Sequence, residues 1–172
     1  MPEPIARIER EHDAQERVWR ASRATWVAVA LLLAAAAAGL FGDGPLARAE
    51  AEAPDGSLRA SYGRFQREGA PTVFWLRPSP DAVASGEARL CADRAFLEAW
   101  RVVAFEPEPE AQEARGREVC YAFRLSPAPP ADEAGPPGIA MRAVPRGTAF
   151  PARGTLRLDG RAPLALSALV WP

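Results

Sequence analysis

Hydrophobic and polar positions follow two different patterns along this chain. Residues 24–41 read ATWVAVALLLAAAAAGLF, an unbroken apolar run of 18 residues with no ionisable side chain. At about 1.5 Å per residue, such a helix is roughly 27 Å long, close to the ~30 Å hydrocarbon core of a bilayer. From residue 58 onward, short runs of alternating apolar and polar residues take over. The pattern therefore predicts one transmembrane helix, residues 24–41, followed by a mostly β domain.

The segments that flank the apolar run predict how it is oriented. Residues 1–23 are predicted to form an exposed amphipathic helix, because acidic residues precede basic ones by four positions several times. Arg17, Arg20 and Arg23 lie just before the run, and basic residues near a span stay on the cytoplasmic side. Residues 42–57, rich in Gly, Pro, Ala and acidic residues, are predicted to be a linker. We therefore expect the N-terminal segment in the cytoplasm and the C-terminal bulk outside it.

Two further features of the predicted span concern its surroundings. Trp19 and Trp26 fall near its N-terminal boundary, where indole rings prefer the headgroup layer of a membrane. Ala30, Ala34 and Ala38 repeat every four residues, a spacing that lets a second helix approach closely. An alanine-rich helix also produces this spacing by chance, so helix packing and chance both stay open.

A cleavable signal peptide is the competing interpretation of the apolar run. Cleavage motifs of the small-x-small kind occur at Ala47-Arg48-Ala49 and at Ala51-Glu52-Ala53. The run is longer than the ~7–15 residues of a typical signal peptide core, and the preceding segment is long and mixed in charge. These features favour a retained anchor. The alternative is a secreted ligand- or carbohydrate-binding module released near Ala49.

The region 58–172 has the sequence pattern of an all-β domain. The predicted strands are 58–62, 72–76, 87–91, 100–105, 119–125, 139–144, 154–158 and 163–171. A short helical turn is predicted over 93–99, and Asp159-Gly160 is a strong hairpin turn. The connections 106–117 and 126–137, acidic or rich in proline, are predicted to be exposed loops. Regular spacing with Pro and Gly turns favours an immunoglobulin-like antiparallel β-sandwich.

The large aromatic residues of this domain are predicted mostly to lie in its core. They are Tyr62, Phe65, Trp75, Trp100 and Trp171. The final strand is apolar on both faces, which is typical of a central strand or of an outer face covered by a partner, and the central strand is favoured.

Two cysteines, Cys91 and Cys120, lie in predicted strands. Each alternates with apolar neighbours and shares a strand face with charged residues, so both are expected to point to the polar side. Outside the cytoplasm they could pair, and the closed loop would add roughly 3–4 kcal/mol to stability. A disulfide and two free thiols both remain open. A metal site is disfavoured because no histidine follows residue 12.

Composition excludes several functional classes. The net charge is −1, so the chain lacks the positive surface that nucleic-acid binding requires. All 21 basic residues are arginine, which is typical of a GC-rich bacterial coding bias. His12, the only histidine, lies in the predicted N-terminal helix, so no Ser-His-Asp or Cys-His arrangement can form in the domain. GxSxG, HExxH, CxxC and phosphate-binding glycine motifs are missing. We expect no catalytic residues and no cofactor.

Four short motifs carry a resemblance to a known group of proteins. They are Glu16–Arg20 (ERVWR), Gly39–Leu46 (GLFGDGPL), Tyr62–Phe65 (YGRF) and Val170–Pro172 (VWP). With this layout, the chain resembles bacterial single-pass membrane proteins associated with YetF-like integral membrane proteins. The resemblance implies a membrane-anchored accessory or partner protein. We expect a non-enzymatic protein of the bacterial inner membrane whose periplasmic domain binds another membrane or periplasmic protein.

Overall fold

One long helix, one short helix, a 3-10 turn and eleven strands form the parts of the chain that the computed structural model describes, residues 3–37, 47–125 and 138–172. The chain divides into two compact units, Met1–Leu46 and Ala47–Pro172.

The first unit contains helix α1, Glu3–Ala37, which is 35 residues long and continuous. It joins the predicted N-terminal helix to most of the predicted span, so residue 24 is not a structural boundary. Residues 38–41 of the predicted span lie outside the described residues. The stretch Val18–Ala37, with a mean hydropathy of 1.3, is the one described helix long and apolar enough to cross a membrane. A signal sequence meets the same criteria of length and composition.

The second unit is built from strands. In chain order they are β1 Arg48–Glu52, β2 Leu58–Gly63, β3 Phe65–Arg67, β4 Thr72–Pro78, β5 Glu87–Asp93, β6 Trp100–Glu106, β7 Ala111–Arg115, β8 Glu118–Arg124, β9 Ile139–Pro145, β10 Ala149–Leu158 and β11 Leu164–Trp171. A 3-10 turn at Pro80–Val83 precedes β5, and helix α2, Arg94–Ala99, connects β5 to β6.

The strands form two sheets. The five-stranded sheet has the order β1-β2-β4-β9-β6 and is antiparallel throughout. The six-stranded sheet has the order β3-β11-β10-β5-β8-β7 and is antiparallel except for the parallel pair of β3 and β11. The predicted mostly β domain is therefore confirmed.

A single hydrophobic core draws residues from both sheets. Phe74 of β4 meets Phe96 of α2 and Trp100 of β6 edge-on, with ring centroids 5.7 Å apart in each pair. A pair of hydrogen bonds links the two sheets directly. The Tyr62 hydroxyl of β2 donates to the Ser167 carbonyl of β11 at 3.1 Å and accepts from the Ser167 N–H at 3.1 Å.

A buried hydrogen bond joins the short strand β3 to this aromatic cluster. Trp100 Nε1 donates to Oε1 of Gln66 at 2.7 Å, and Gln66 Nε2 donates to the Gly63 carbonyl at 2.9 Å. Gln66 is only 4% exposed, so the indole N–H, buried away from water, depends on this one side chain.

Helix α2 packs unusually close to the six-stranded sheet. The Asp93 carboxylate caps the helix by accepting from the Phe96 N–H at 2.7 Å, and it also accepts from the Thr155 N–H of β10 at 3.0 Å. A Cβ on Gly154 would lie 2.5 Å from the Phe96 Cα, which is far inside van der Waals contact. Only glycine allows this approach of helix to strand.

The Asp55 carboxylate connects the β1–β2 turn to the β10–β11 turn. It accepts from the Ser57 hydroxyl at 2.6 Å, from the Ser57 N–H at 3.1 Å and from the Ala162 N–H at 3.0 Å. The Ser57 hydroxyl, followed by the Ala162 N–H, lowers the pKa of Asp55 from 3.8 to about 2.

All eight predicted strands are present, and three further strands, β1, β3 and β7, were not predicted. The predicted linker 42–57 is wrong in its second part, because Arg48–Glu52 forms β1 and pairs residue for residue with β2. Its alternating sequence RAEAE places Ala49 on the buried face, so the domain begins before residue 58. The predicted loop 106–117 contains β7, and the predicted loop 126–137 lies outside the described residues.

Candidate functional site

Helix α1 exposes a row of large apolar side chains. They are Val18, Trp19, Trp26, Val27, Val29, Leu31, Leu32 and Leu33. The hydroxyl of Thr25, a polar group within this stretch, donates to the Ala21 carbonyl at 3.0 Å, so the helix satisfies it internally. An apolar surface of this extent is typical of a lipid or protein contact and is unfavourable in water.

The predicted membrane-interface residues lie on this helix. The guanidinium of Arg23 lies 3.7 Å from the ring centroid of Trp19, a cation–π contact that holds the charge and the ring at the same level. Trp26 and Arg20 are both exposed, and Arg20 also interacts with another group of the protein. Arg17 lies in α1.

The predicted helix-packing residues are described in part. Ala30 and Ala34 lie one turn apart on α1, and both are exposed. Ala38 lies outside the described residues.

Cys91 and Cys120 form a disulfide between neighbouring strands of the six-stranded sheet. They are directly opposite each other on β5 and β8, and their Cα atoms are 4.0 Å apart. Each shares the outer face of its strand with charged residues, yet both cysteines are 2% exposed or less.

An ion pair extends across the strand that carries Cys91. Arg157, opposite Cys91 on β10, donates from Nε and a terminal nitrogen to the two carboxylate oxygens of Glu118 on β8, at 2.9 and 2.5 Å. The Arg157 bond lowers the pKa of Glu118, and the bond to Glu118 raises the pKa of Arg157. In the described part of the chain, Glu118 and the two sulfurs are close enough to hold a metal ion. The sulfurs, however, are bonded to each other, and Arg157 binds the carboxylate.

The remaining charges on this outer face also pair among themselves. The Asp159 carboxylate accepts from Arg89 at 3.5 Å and from Arg115 at 3.1 Å, and Arg115 also donates to Glu113 at 3.0 Å. Exposed pairs of this kind each add little stability. Together they neutralise Arg89, Arg115 and Arg157 on this face.

The outer face of the five-stranded sheet presents a large aromatic ring near its centre. Trp75 lies in the middle of β4, with 57% of its surface exposed. Its direct neighbours across the strands are small, Ser61 on β2 and Ala140 on β9. No large side chain therefore stands level with the indole on either side.

Arginines surround this tryptophan. Arg77 lies two residues further along β4, and Arg59 on β2 and Arg142 on β9 occupy diagonal positions. Together with Ser61, Trp75 and Ala140, these arginines are called the Trp75 face here. Arg59 and Arg77 are directly opposite each other, and like charges in such a pair are destabilising.

A shallow cleft of about 460 Å³ runs along one side of the Trp75 face, between β1, β2 and β4. Its charged lining residues are Arg48, Glu50, Glu52, Arg59 and Arg77. Arg59 Nε donates to Glu52 at 2.9 Å, so the acidic side of the cleft is the β1 edge. The arginines beside Trp75 make that side of the cleft positive, and the β1 side carries both glutamates together with Arg48.

The prediction that the aromatics lie in the core is wrong for Trp75 and Trp171. Both are exposed, whereas Tyr62 and Trp100 are buried. The alternation of TVFWLRP was a usable signal, since it puts Trp75 on the side of Arg77 and opposite to the buried Phe74.

Comparisons with protein families, with curated proteins and with solved structures gave no match to this chain. The proposals below therefore depend on the residues and geometry described above.

Proposed function

We propose that this chain is a non-enzymatic, single-pass protein of the bacterial inner membrane. Helix α1 is its anchor, the N-terminal segment is cytoplasmic, and the domain 47–172 lies in the periplasm and binds another envelope protein. The observation that carries the proposal is the stretch Val18–Ala37, in which no residue is buried and the large apolar side chains are exposed. A lipid environment is the one solvent in which that surface is favourable without a protein cover.

The position of β1 supports a retained anchor over a cleaved leader. Both small-x-small motifs overlap this strand. Cleavage after Ala49 would remove Arg48 and Ala49, two of the five residues that pair with β2, and cleavage after Ala53 would remove the whole strand. Release of a complete domain at either motif therefore conflicts with the sheet, which disfavours the secreted ligand- or carbohydrate-binding module.

The disulfide supports a location outside the cytoplasm. Bonds such as that between Cys91 and Cys120 form and persist in oxidising compartments such as the periplasm. Positive charge at Arg17, Arg20 and Arg23 predicts the same orientation. The resemblance to YetF-like membrane proteins implies this placement as well and stays a prediction.

For the domain itself we propose a β-sandwich of the immunoglobulin-like kind. Support comes from two mostly antiparallel sheets that share one core. The likeness is limited to this architecture, because the disulfide joins two strands of one sheet, whereas in antibody domains it joins the two sheets.

Binding of a partner is the activity that the domain's surface favours. Tryptophan and arginine are among the residues most enriched in the energetic centres of protein interfaces, and the Trp75 face combines both. An anchor keeps the domain close to a membrane partner and raises the effective concentration without adding contacts. The non-enzymatic part of the proposal depends on the sequence, in which His12 precedes the span.

Fractionation of native membranes tests this proposal. We expect the full-length chain to resist alkaline extraction, a C-terminal tag to be digested in spheroplasts, and an N-terminal tag to be protected. Crosslinking in the same membranes should give a discrete complex. A soluble mature chain that begins near Glu50 would contradict the proposal and favour the secreted module.

A variant in the middle of the helix sharpens the test. Leu32→Arg should move most of the protein out of the membrane fraction, because a charge at the centre of a span costs about 2.5–3.5 kcal/mol for insertion. Leu32→Ala is the matched control and should leave the protein in the membrane. Equal membrane association of the two variants would show that α1 is not the anchor.

A further inference from the structure

The arginines on the outer faces of the two sheets differ in their ion pairs. On the six-stranded sheet, Arg89, Arg115 and Arg157 each form an ion pair with a neighbouring carboxylate. On the Trp75 face, Arg59 alone has an ion pair, and the described part of the chain offers none to Arg77 or Arg142. Carboxylates therefore neutralise these three arginines of the six-stranded sheet, whereas Arg77 and Arg142 leave positive charge beside the exposed Trp75.

The Trp75 face places two like charges side by side, and an acidic residue of the domain, Glu52, pairs with only one of them, Arg59. Arg59 and Arg77 are directly opposite each other, where Cβ atoms are about 4.5–5.5 Å apart and like charges repel. Both side chains point away from the core, so packing does not require either charge. A carboxylate between them would convert the repulsion into charge-assisted hydrogen bonds, and Trp75 would supply apolar contact beside it.

The cleft also restricts the kind of anion that fits. Glu50 and Glu52 line its β1 side, about two strand spacings from Trp75, or roughly 10 Å. A uniform polyanion, such as an acidic polysaccharide or an anionic membrane, would meet these carboxylates and be repelled. A protein surface can place acidic groups over the arginines and a basic or neutral group over the glutamates.

We propose that the Trp75 face is the docking surface for an acidic segment of a partner protein, with its carboxylates bound by Arg59, Arg77 and Arg142 and an apolar side chain against Trp75. This inference rests on the proposed function, for which it names the binding surface and the chemistry of the partner. The whole outer face of the five-stranded sheet, four strand spacings wide and seven residues long, has an area of roughly 400–450 Å², the size of a small, transient contact.

Fluorine NMR of the full chain in detergent micelles tests the proposal. The protein carries 5-fluorotryptophan at its five tryptophans, and the variants Trp75→Phe, Trp100→Phe and Trp171→Phe assign the signals of those three residues. The probe is a short synthetic peptide with four glutamates around a leucine and two lysines at one end. We expect the peptide to shift the Trp75 signal and to leave those of Trp100 and Trp171 in place.

Charge reversal provides the matched comparison. Arg77→Glu should weaken peptide binding about tenfold or more, because it adds repulsion where the peptide places its carboxylates. Arg117→Glu makes the same charge change at an exposed turn outside the Trp75 face, and its affinity should stay within about twofold. An unchanged Trp100 signal shows that each variant is folded.

Several results would overturn the inference. One is a Trp75 signal that does not respond to the peptide, and another is equal weakening by Arg77→Glu and Arg117→Glu. A third is an equal response to tetragalacturonate or to phosphatidylglycerol vesicles, which would assign the surface to a glycan or to lipid. A crosslinked partner together with a silent Trp75 would refute this inference alone. A soluble, cleaved chain that still binds the peptide at Trp75 would refute the proposed function alone.

Discussion

Replacement of Gln66 by methionine should destabilise the domain by far more than a surface substitution of the same type. Methionine matches glutamine in length and volume but lacks a strong hydrogen-bond acceptor. The variant therefore keeps the packing and removes the 2.7 Å bond from the Trp100 indole. A buried donor that loses its partner costs about 1–3 kcal/mol, and we expect the free energy of unfolding to fall by that amount.

The indole accounts for most of this loss. Trp100 is fully buried, so water cannot replace the missing acceptor. Gly63, whose carbonyl also loses a bond of 2.9 Å, is half-buried and can be hydrated in part. For a domain of this size, about 2 kcal/mol corresponds to a decrease in Tm of roughly 5–10 °C.

Denaturant unfolding of the full chain in detergent, followed by near-UV circular dichroism, measures the effect. Gln112→Met on the exposed strand β7 is the control, and it should change stability by less than about 0.5 kcal/mol. Trp100→Phe removes the donor, so Gln66→Met should cost less in that background than in the wild type. Equal costs in both backgrounds, or equal effects of the two methionine variants, would refute the reasoning.

Three further predictions concern other parts of the domain. Gly154→Ala should lower the free energy of unfolding by about 1–3 kcal/mol in denaturant melts, because the added Cβ would lie 2.5 Å from the backbone of α2. Asp55→Asn should remove a pH dependence. The lowered pKa of Asp55, about 2 against 3.8, stabilises the fold above about pH 4, and this stabilisation is lost as the pH falls toward 2 in melts across that range. Reduction of the Cys91–Cys120 bond, whose cysteines are 29 positions apart, should cost about 3–4 kcal/mol by the same assay.

Each of these predictions has a control and a result that contradicts it. Gly63→Ala should be nearly neutral, since its added Cβ meets its nearest atom at 3.7 Å, and a similar loss for both glycine variants would refute the close-packing argument. A wild-type advantage over Asp55→Asn that persists unchanged at pH 2 would contradict the assignment to that carboxylate. A Cys91→Ala/Cys120→Ala variant should not respond to reductant, and a response there would trace the effect to another cause.

The sequence predicts those parts of the fold that depend on local pattern. Alternation predicted β2 and β5, and β-branched and aromatic residues predicted β4. Asp159-Gly160 predicted the β10–β11 hairpin, whose Gly160 has a φ of 73°. Strand β7 has no apolar face, and all five of its residues are exposed, so periodicity could not reveal it. Strand β3 is three residues long and pairs with β11 about a hundred residues later, which no local signal encodes.

The candidate site was predictable only in its individual members. Alternation alone assigns Trp75 and Arg77 to one side of β4. The direct opposition of Arg77 and Arg59 depends on the register between β4 and β2, which is set by the whole sheet. The burial of Gln66 likewise depends on the position of Trp100, which lies 34 residues away in the chain.

Strand β11 determines when this domain can become stable. It lies between β3 and β10, and its residues Leu164, Leu166, Ala168 and Val170 fill the core. The Tyr62 hydroxyl bonds to the carbonyl of Ser167, which lies 105 positions later in the chain. During synthesis, the earlier strands therefore leave the ribosome without the surface they need to bury, and contacts of such long range form slowly. The core of this domain can therefore close only after its last strand, Leu164–Trp171, has been synthesised.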